Sequence, residues 1–83
     1  MDPARSTPIA WTIAGSDSGG GAGIQADLKA MNAFGVHGCA VITAITAQNT
    51  LGVQSIEPMS GPMLKAQLEA LESDLPQIGR AHV

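Results

Sequence analysis

The stretch GSDSGGGAG, Gly15–Gly23, packs five glycines into nine residues between an apolar run and a helical pattern. Backbone this rich in glycine either turns sharply or approaches something closely. Before it, Ile9–Ala14 is a short apolar run that reads as a buried strand closed by Gly15. After it, Ala22–Phe34 reads as a helix, with Ile24, Leu28 and Met31 at i, i+4 and i+7 and Gly35 as its stop. Cys39–Ala47 (CAVITAITA) then reads as a second buried strand rich in β-branched residues. Strand, glycine loop, helix, strand is a βαβ unit, which predicts parallel strands joined by a right-handed crossover.

Beyond the second strand comes the polar cluster Gln48-Asn49-Thr50, then Gly52, then a possible short third strand, Val53–Ile56. A last helix is marked by Ser60 as N-cap, Pro62 in the first turn and a stripe of Leu64, Leu68, Leu71 and Leu75, with Pro76 as its stop. Lys65 and Glu69 form an i, i+4 pair on its wet side. The leucine stripe is too short for a zipper and reads as core. The expected organisation is a loose leader over residues 1–8 and one α/β unit over residues 9–76.

Apolar residues make up 45% of the chain and charged residues 13%. That suits parallel strands covered by helices and excludes a disordered tail. It also leaves few charges to coat a free-standing domain, so the chain is expected to have more protein around it. A net charge of −3, with four basic residues scattered along the chain, gives no footprint for nucleic acid. No apolar run approaches the ~20 residues needed to span a bilayer, and the first residues lack the apolar segment of a secretory signal. The single cysteine fits a reducing cytoplasm. Neither a nucleic acid nor a membrane is therefore expected as a partner.

In parallel sheets ligands bind beyond the carboxyl ends of the strands. Two segments are expected there, Gly15–Gly23 after the first strand and Gln48–Gly52 after the second, facing one crevice. The glycine loop lacks the Lys-Ser/Thr that ends a Walker A loop, and the first lysine, Lys29, falls inside the helix. A full dinucleotide fingerprint is absent from residues 15–26, no Arg or Lys lies between Gly15 and Gly23, and Asp17 would repel a polyphosphate. The loop suits a neutral, hydrogen-bonding ligand, or its glycines serve only tight helix–strand packing.

The runs TIAGSDSGGGAGIQADLKA (Thr12–Ala30) and GCAVITAITAQNTLGVQ (Gly38–Gln54) resemble the N-terminal portion of hydroxymethylpyrimidine/phosphomethylpyrimidine kinases, and the likeness continues more loosely to about Leu75. It implies a partial ribokinase-like fold, usually in a homodimer. The activity implied is transfer of phosphate from ATP-Mg²⁺ to 4-amino-5-hydroxymethyl-2-methylpyrimidine and then to its monophosphate, in thiamine biosynthesis. The glutamine of the AQN motif, here Gln48, would read the pyrimidine, since an amide offers a donor and an acceptor to an aminopyrimidine edge. Asp27 of the GIQADL motif would orient the hydroxymethyl end, and Gly15 and Ala22 would line the ring pocket. The residues alone leave Gln48 open as an exposed loop residue and Asp27 as a solvated helix residue. Asp17 and Ser18 are read as loop formers.

The resemblance implies that ATP and Mg²⁺ are handled by a later part of the family's chain. The 83 residues by themselves are expected to be inactive. The alternatives are a non-catalytic module that holds a heterocycle and a related kinase acting on pyridoxal-type rings. Cys39 reads as an inert buried residue and His37 as a surface one, and two histidines and one cysteine at unrelated spacings make no zinc site. The last six residues, IGRAHV, depart from the family, in which an apolar strand would follow. They match the translation of a common sequencing-adapter string, so residues 77–83 are expected to be a non-native tail.

Overall fold

The computed structural model describes residues 7–76. Most of the expected leader and the whole expected tail at 77–83 lie outside the described residues. The element order is β1 (Ile9–Ala14), α1 (Gly23–Ala33), β2 (His37–Ile42), β3 (Ala44–Asn49), β4 (Gly52–Pro58) and α2 (Gly61–Asp74).

β1 and β2 pair in parallel as the βαβ pattern requires, with Trp11 beside Cys39 and Ala14 beside Ile42. Both faces of this pair are covered. On one face Ile9, Trp11 and Cys39 form a buried cluster against Leu68, Leu71 and Leu75 of α2. On the other, α1 packs across both strands and buries Ile24 and Met31. Its close approach depends on Gly38, where a Cβ would come within 2.8 Å of both Leu28 Cδ2 and Met31 Sδ.

Backbone groups at both ends of α2 find partners. The Ser60 hydroxyl accepts from Met63 N–H at 3.2 Å, and Pro62 occupies the first turn, where its missing N–H costs nothing. At the far end of α2 the Leu75 carbonyl, which has no partner within the helix, accepts from Trp11 Nε1 at 2.8 Å. Lys65 and Glu69 stand 3.7 Å apart and largely exposed, worth a few tenths of a kcal/mol at most. Full burial of a large apolar side chain contributes about 1.5–3 kcal/mol, and the partly buried Leu68, Leu71 and Leu75 each gain a share of that. The leucine stripe and the Trp11 bond therefore hold α2 to the sheet.

One sequence expectation is corrected. CAVITAITA is not one strand: β2 ends at Ile42, the chain bends at Thr43, and β3 leaves the parallel pair to form an antiparallel hairpin with β4. β-Branched residues on both sides of Thr43 hide this break, which is imposed from elsewhere in the fold. Gln48 and Asn49 consequently end β3 instead of following the second parallel strand, and Thr50 and Leu51 form the turn. The short strand expected at Val53–Ile56 is the middle of β4, and every residue of β4 is exposed.

Candidate functional site

The glycine loop is organised from within by Asp17, which is 6% exposed. Its carboxylate accepts from the backbone N–H of Gly19 at 2.8 Å, Gly21 at 2.9 Å and Ala22 at 2.8 Å. Its own N–H donates to Gln25 Oε1 at 2.8 Å, which ties the loop to the first turn of α1. Ala22, the N-cap of α1, provides no side-chain cap. Asp17 bonds the N–H of Ala22 itself and of Gly21 just before it, which places a negative charge beside the start of the helix. Gly23 completes the turn at φ +59, and a Cβ there would lie 2.2 Å from the Gly15 carbonyl oxygen.

β3 runs alongside this loop and is bonded to it step by step. Ser16 N–H donates to the Ala44 carbonyl at 2.9 Å, and Thr46 Oγ1 donates to the Ser16 carbonyl at 2.5 Å. The Ser18 hydroxyl accepts from Gln48 N–H at 2.7 Å and donates to the Gln48 carbonyl. Between the two segments lies an open cleft of about 250 Å³. Asp17, Gly19, Gly21 and Ala22 line one side of it, and Gln48, Asn49 and Thr50 line the other. It is slightly smaller than the ~300–1,000 Å³ usual for ligand pockets and has room for one small ring.

The orientation of the Gln48 amide follows from counting protons. Gln48 Oε1 lies 3.2 Å from Thr46 Oγ1. A hydroxyl has one proton, and the Ser16 carbonyl takes it at the shorter distance. The contact is satisfied when the amide, whose oxygen and nitrogen are nearly alike in shape, turns its NH₂ toward Thr46. One N–H and the oxygen of Gln48 then remain for a ligand.

Of the site residues expected from sequence, Gln48 and Ala22 line the cleft and the other two do not. Gly15 lies beneath the start of α1, its carbonyl accepting from Ile24 N–H at 3.0 Å. Asp27 is half-buried between α1 and β1, where Oδ2 accepts from the hydroxyl of Thr12 at 2.5 Å, and Thr12 is itself only 1% exposed. Asp17, Ser18 and Thr46 do more than a loop-forming reading gave them. An Asp two residues before a run of glycines is the signature of a side chain that bonds backbone N–H groups just ahead of it, and this signal was available.

These residues do not fit a nucleotide-phosphate or Mg²⁺ site. The loop N–H groups that would cradle phosphate already point at Asp17. The nearby Lys29 Nζ lies 3.3 Å from the Gly20 carbonyl oxygen, outside the lining of the cleft. Among the described residues no three of His, Cys, Asp and Glu are grouped to hold a metal, and no helix is long and apolar enough to cross a membrane. Cys39 is buried in the cluster under α2, and burial pushes its thiol above the usual range, away from the reactive thiolate.

Comparison with known proteins places this geometry. A sequence profile for the family described as Phosphomethylpyrimidine kinase matches residues 17–78. The chain is 64% identical over 69 residues to a hydroxymethylpyrimidine/phosphomethylpyrimidine kinase of Rhizobium meliloti (strain 1021), covering 83% of this chain and 26% of that one. It is 49% identical over 73 residues to the kinase of the same description from Mycobacterium tuberculosis (strain ATCC 25618 / H37Rv), covering 88% and 26%. Among solved structures, phosphomethylpyrimidine kinase from Clostridium difficile 630 superposes with a TM-score of 0.80 at 56% identity, over 86% of this chain and 30% of that one. Pyridoxal kinase from Staphylococcus aureus in complex with AMP-PCP and pyridoxal superposes with a TM-score of 0.73 at 34% identity, over 81% and 25%. The chain thus spans about a quarter of the length of the curated relatives it matches, and its α/β arrangement is the partial ribokinase-like fold expected from sequence. With the match running over most of its residues, the chain belongs to the phosphomethylpyrimidine kinase family.

Proposed function

We propose that this chain is the ring-holding part of a kinase that phosphorylates 4-amino-5-hydroxymethyl-2-methylpyrimidine and then its monophosphate, using ATP and Mg²⁺ bound by residues outside this segment. The observation that carries the reading is the meeting of the Asp17-ordered glycine loop with Gln48 across one small cleft. An amide anchored on one side by Thr46 presents a donor and an acceptor to an aminopyrimidine edge. Rings without that edge leave the amide unpaired, which costs about 1–3 kcal/mol. Ala22, in the lining of the cleft, is assigned to leave room for the ring; Gly15 and Asp27 lie outside that lining, and their roles in making room for the ring and orienting its hydroxymethyl end rest on the family resemblance. On this reading the 83 residues alone have no kinase activity, because the anion cradle and base that phosphoryl transfer needs are assigned to residues outside this segment. A homodimer working in the cytoplasm completes the proposal.

A pyridoxal-type kinase is the second reading, favoured by the likeness to the Staphylococcus aureus enzyme. A non-catalytic heterocycle-binding module is a third. The complete protein is assayed with hydroxymethylpyrimidine and with pyridoxal, as parent and as Gln48→Leu. The expected result is phosphorylation of the pyrimidine with at least a tenfold rise in its KM in Gln48→Leu and an unchanged KM for ATP. A preference for pyridoxal, or a Gln48→Leu variant with normal kinetics, would count against the proposal, and no turnover of either ring would favour the module.

A further inference from the structure

At the junction of β2 and β3 the chain leaves one sheet for another, and the backbone groups of Ile42 and Thr43 are bonded to three different parts of the fold. Thr43 N–H donates to the Ala14 carbonyl at the end of β1 at 2.9 Å, and the Thr43 carbonyl accepts from Met59 N–H, between β4 and α2, at 2.8 Å. Ile42 is served by a side chain on α2. Its N–H donates to Gln67 Oε1 at 2.8 Å, and Gln67 Nε2 donates to its carbonyl at 2.9 Å. The next residue, Ala44, accepts from Ser16 of the glycine loop.

A primary amide offers one carbonyl and one N–H side by side, as the backbone of a neighbouring strand does. Gln67 therefore takes the place of a strand at Ile42, while β2 stays paired with β1 up to Ala14. Its position is unusual for a glutamine: residue 67 falls between Leu64 and Leu71, at i+3 and i−4, on the face that α2 turns to the sheet. An apolar residue would match that face better, but it would leave both polar groups of Ile42 without partners in a half-buried place. Docking of α2 has other anchors, the leucine stripe and the Trp11–Leu75 bond.

We infer that Gln67 is a positioning residue for the cleft: by holding Ile42 it fixes the direction in which β3 leaves the sheet, and thereby sets Gln48 against the glycine loop. The inference rests on the reading of Gln48 as the ring-contacting residue, and it adds the device that places Gln48. Gln67 itself touches neither the cleft nor a ligand.

The test uses the complete kinase with Gln67→Leu and Gln67→Glu. The second variant keeps an acceptor for Ile42 N–H and, when ionised, sets a carboxylate oxygen against the Ile42 carbonyl in place of the donor. Amide hydrogen exchange is followed without ligand. In Gln67→Leu the amides of Ile42, Ser16 and Gln48 are expected to exchange at least tenfold faster, with those of Cys39 and Val41 within about twofold of the parent. Gln67→Glu should show the same pattern. The KM for hydroxymethylpyrimidine is expected to rise at least fivefold, with the KM for ATP unchanged. Equal loss of protection at all these amides in both variants would make Gln67 a general stabiliser and overturn the inference, as would unchanged exchange at Ser16 and Gln48. If the parent phosphorylates no pyrimidine while the selective exchange pattern holds, the positioning role stands and the proposed substrate alone fails.

Discussion

The Thr46 hydroxyl donates to the Ser16 carbonyl across 2.5 Å, which stitches the hairpin to the glycine loop at the level of the cleft. The same oxygen then has only acceptor capacity left for the Gln48 amide 3.2 Å away. Thr46→Val keeps the shape and removes both contacts, so the amide loses its preferred orientation. Loss of one net hydrogen bond of about 1 kcal/mol corresponds to roughly fivefold in affinity. The expected outcome in the complete protein is about a fivefold loss of preference for hydroxymethylpyrimidine over an analogue with a ring carbonyl in place of the amino group. Thr46→Ser should retain the preference. Competition binding measures both.

Asp17 holds three backbone N–H groups that no other residue is placed to take. Asp17→Ala gives these exposed N–H groups over to water and removes their charge-assisted bonds, at a cost of about 1.5–3 kcal/mol. A matching shift in the urea midpoint with an unchanged slope is the expected result. Asp17→Asn, which has a single acceptor oxygen, should fall between the two.

Gly23 tolerates no side chain on two counts, its positive φ and the Gly15 carbonyl 2.2 Å from an ideal Cβ. Left-handed backbone alone costs an L-residue about 1–2 kcal/mol, and the clash adds to it. Gly23→Ala should lower the Tm by more than Asp17→Asn does. A variant as stable as the parent in calorimetry would mean that the loop is not packed on Gly15 as described.

Trp11 is the only tryptophan and is 8% exposed beneath α2, with its Nε1 bonded to Leu75. Its fluorescence therefore reports the docking of that helix. Trp11→Phe keeps most of the apolar contact and loses the bond, which should destabilise by about 1 kcal/mol, read by chemical denaturation. In the parent, emission is expected at the short wavelengths of a dry indole and should move red in step with the loss of helical circular dichroism.

What the sequence made legible was governed by neighbours along the chain. The βαβ order, Ser60 and Pro62 at the start of α2, and Pro76 after its end all act within a few residues of where they stand. The convergence of the glycine loop with Gln48 was legible too, although the path to it was not. Nothing between Cys39 and Ala47 announces the bend at Thr43, because Ile, Thr and Ala suit a strand on either side of it. The bend is set by Gln67, distant in sequence, and by the ends of β1 and β4, and such partners are invisible to any local pattern. Asp27 shows the converse: its motif was plain, while its bond to Thr12 depended on which face of α1 meets β1.

The carboxylate inside the glycine loop also bears on how the cleft treats charge. Because Asp17 takes the N–H groups of Gly19, Gly21 and Ala22, those groups exert no pull on mobile anions, and screening by added salt should leave the cleft's hold on an uncharged ring nearly unchanged. On the reading proposed above, a phosphoryl group carried on the ring would have to find its cations outside this segment.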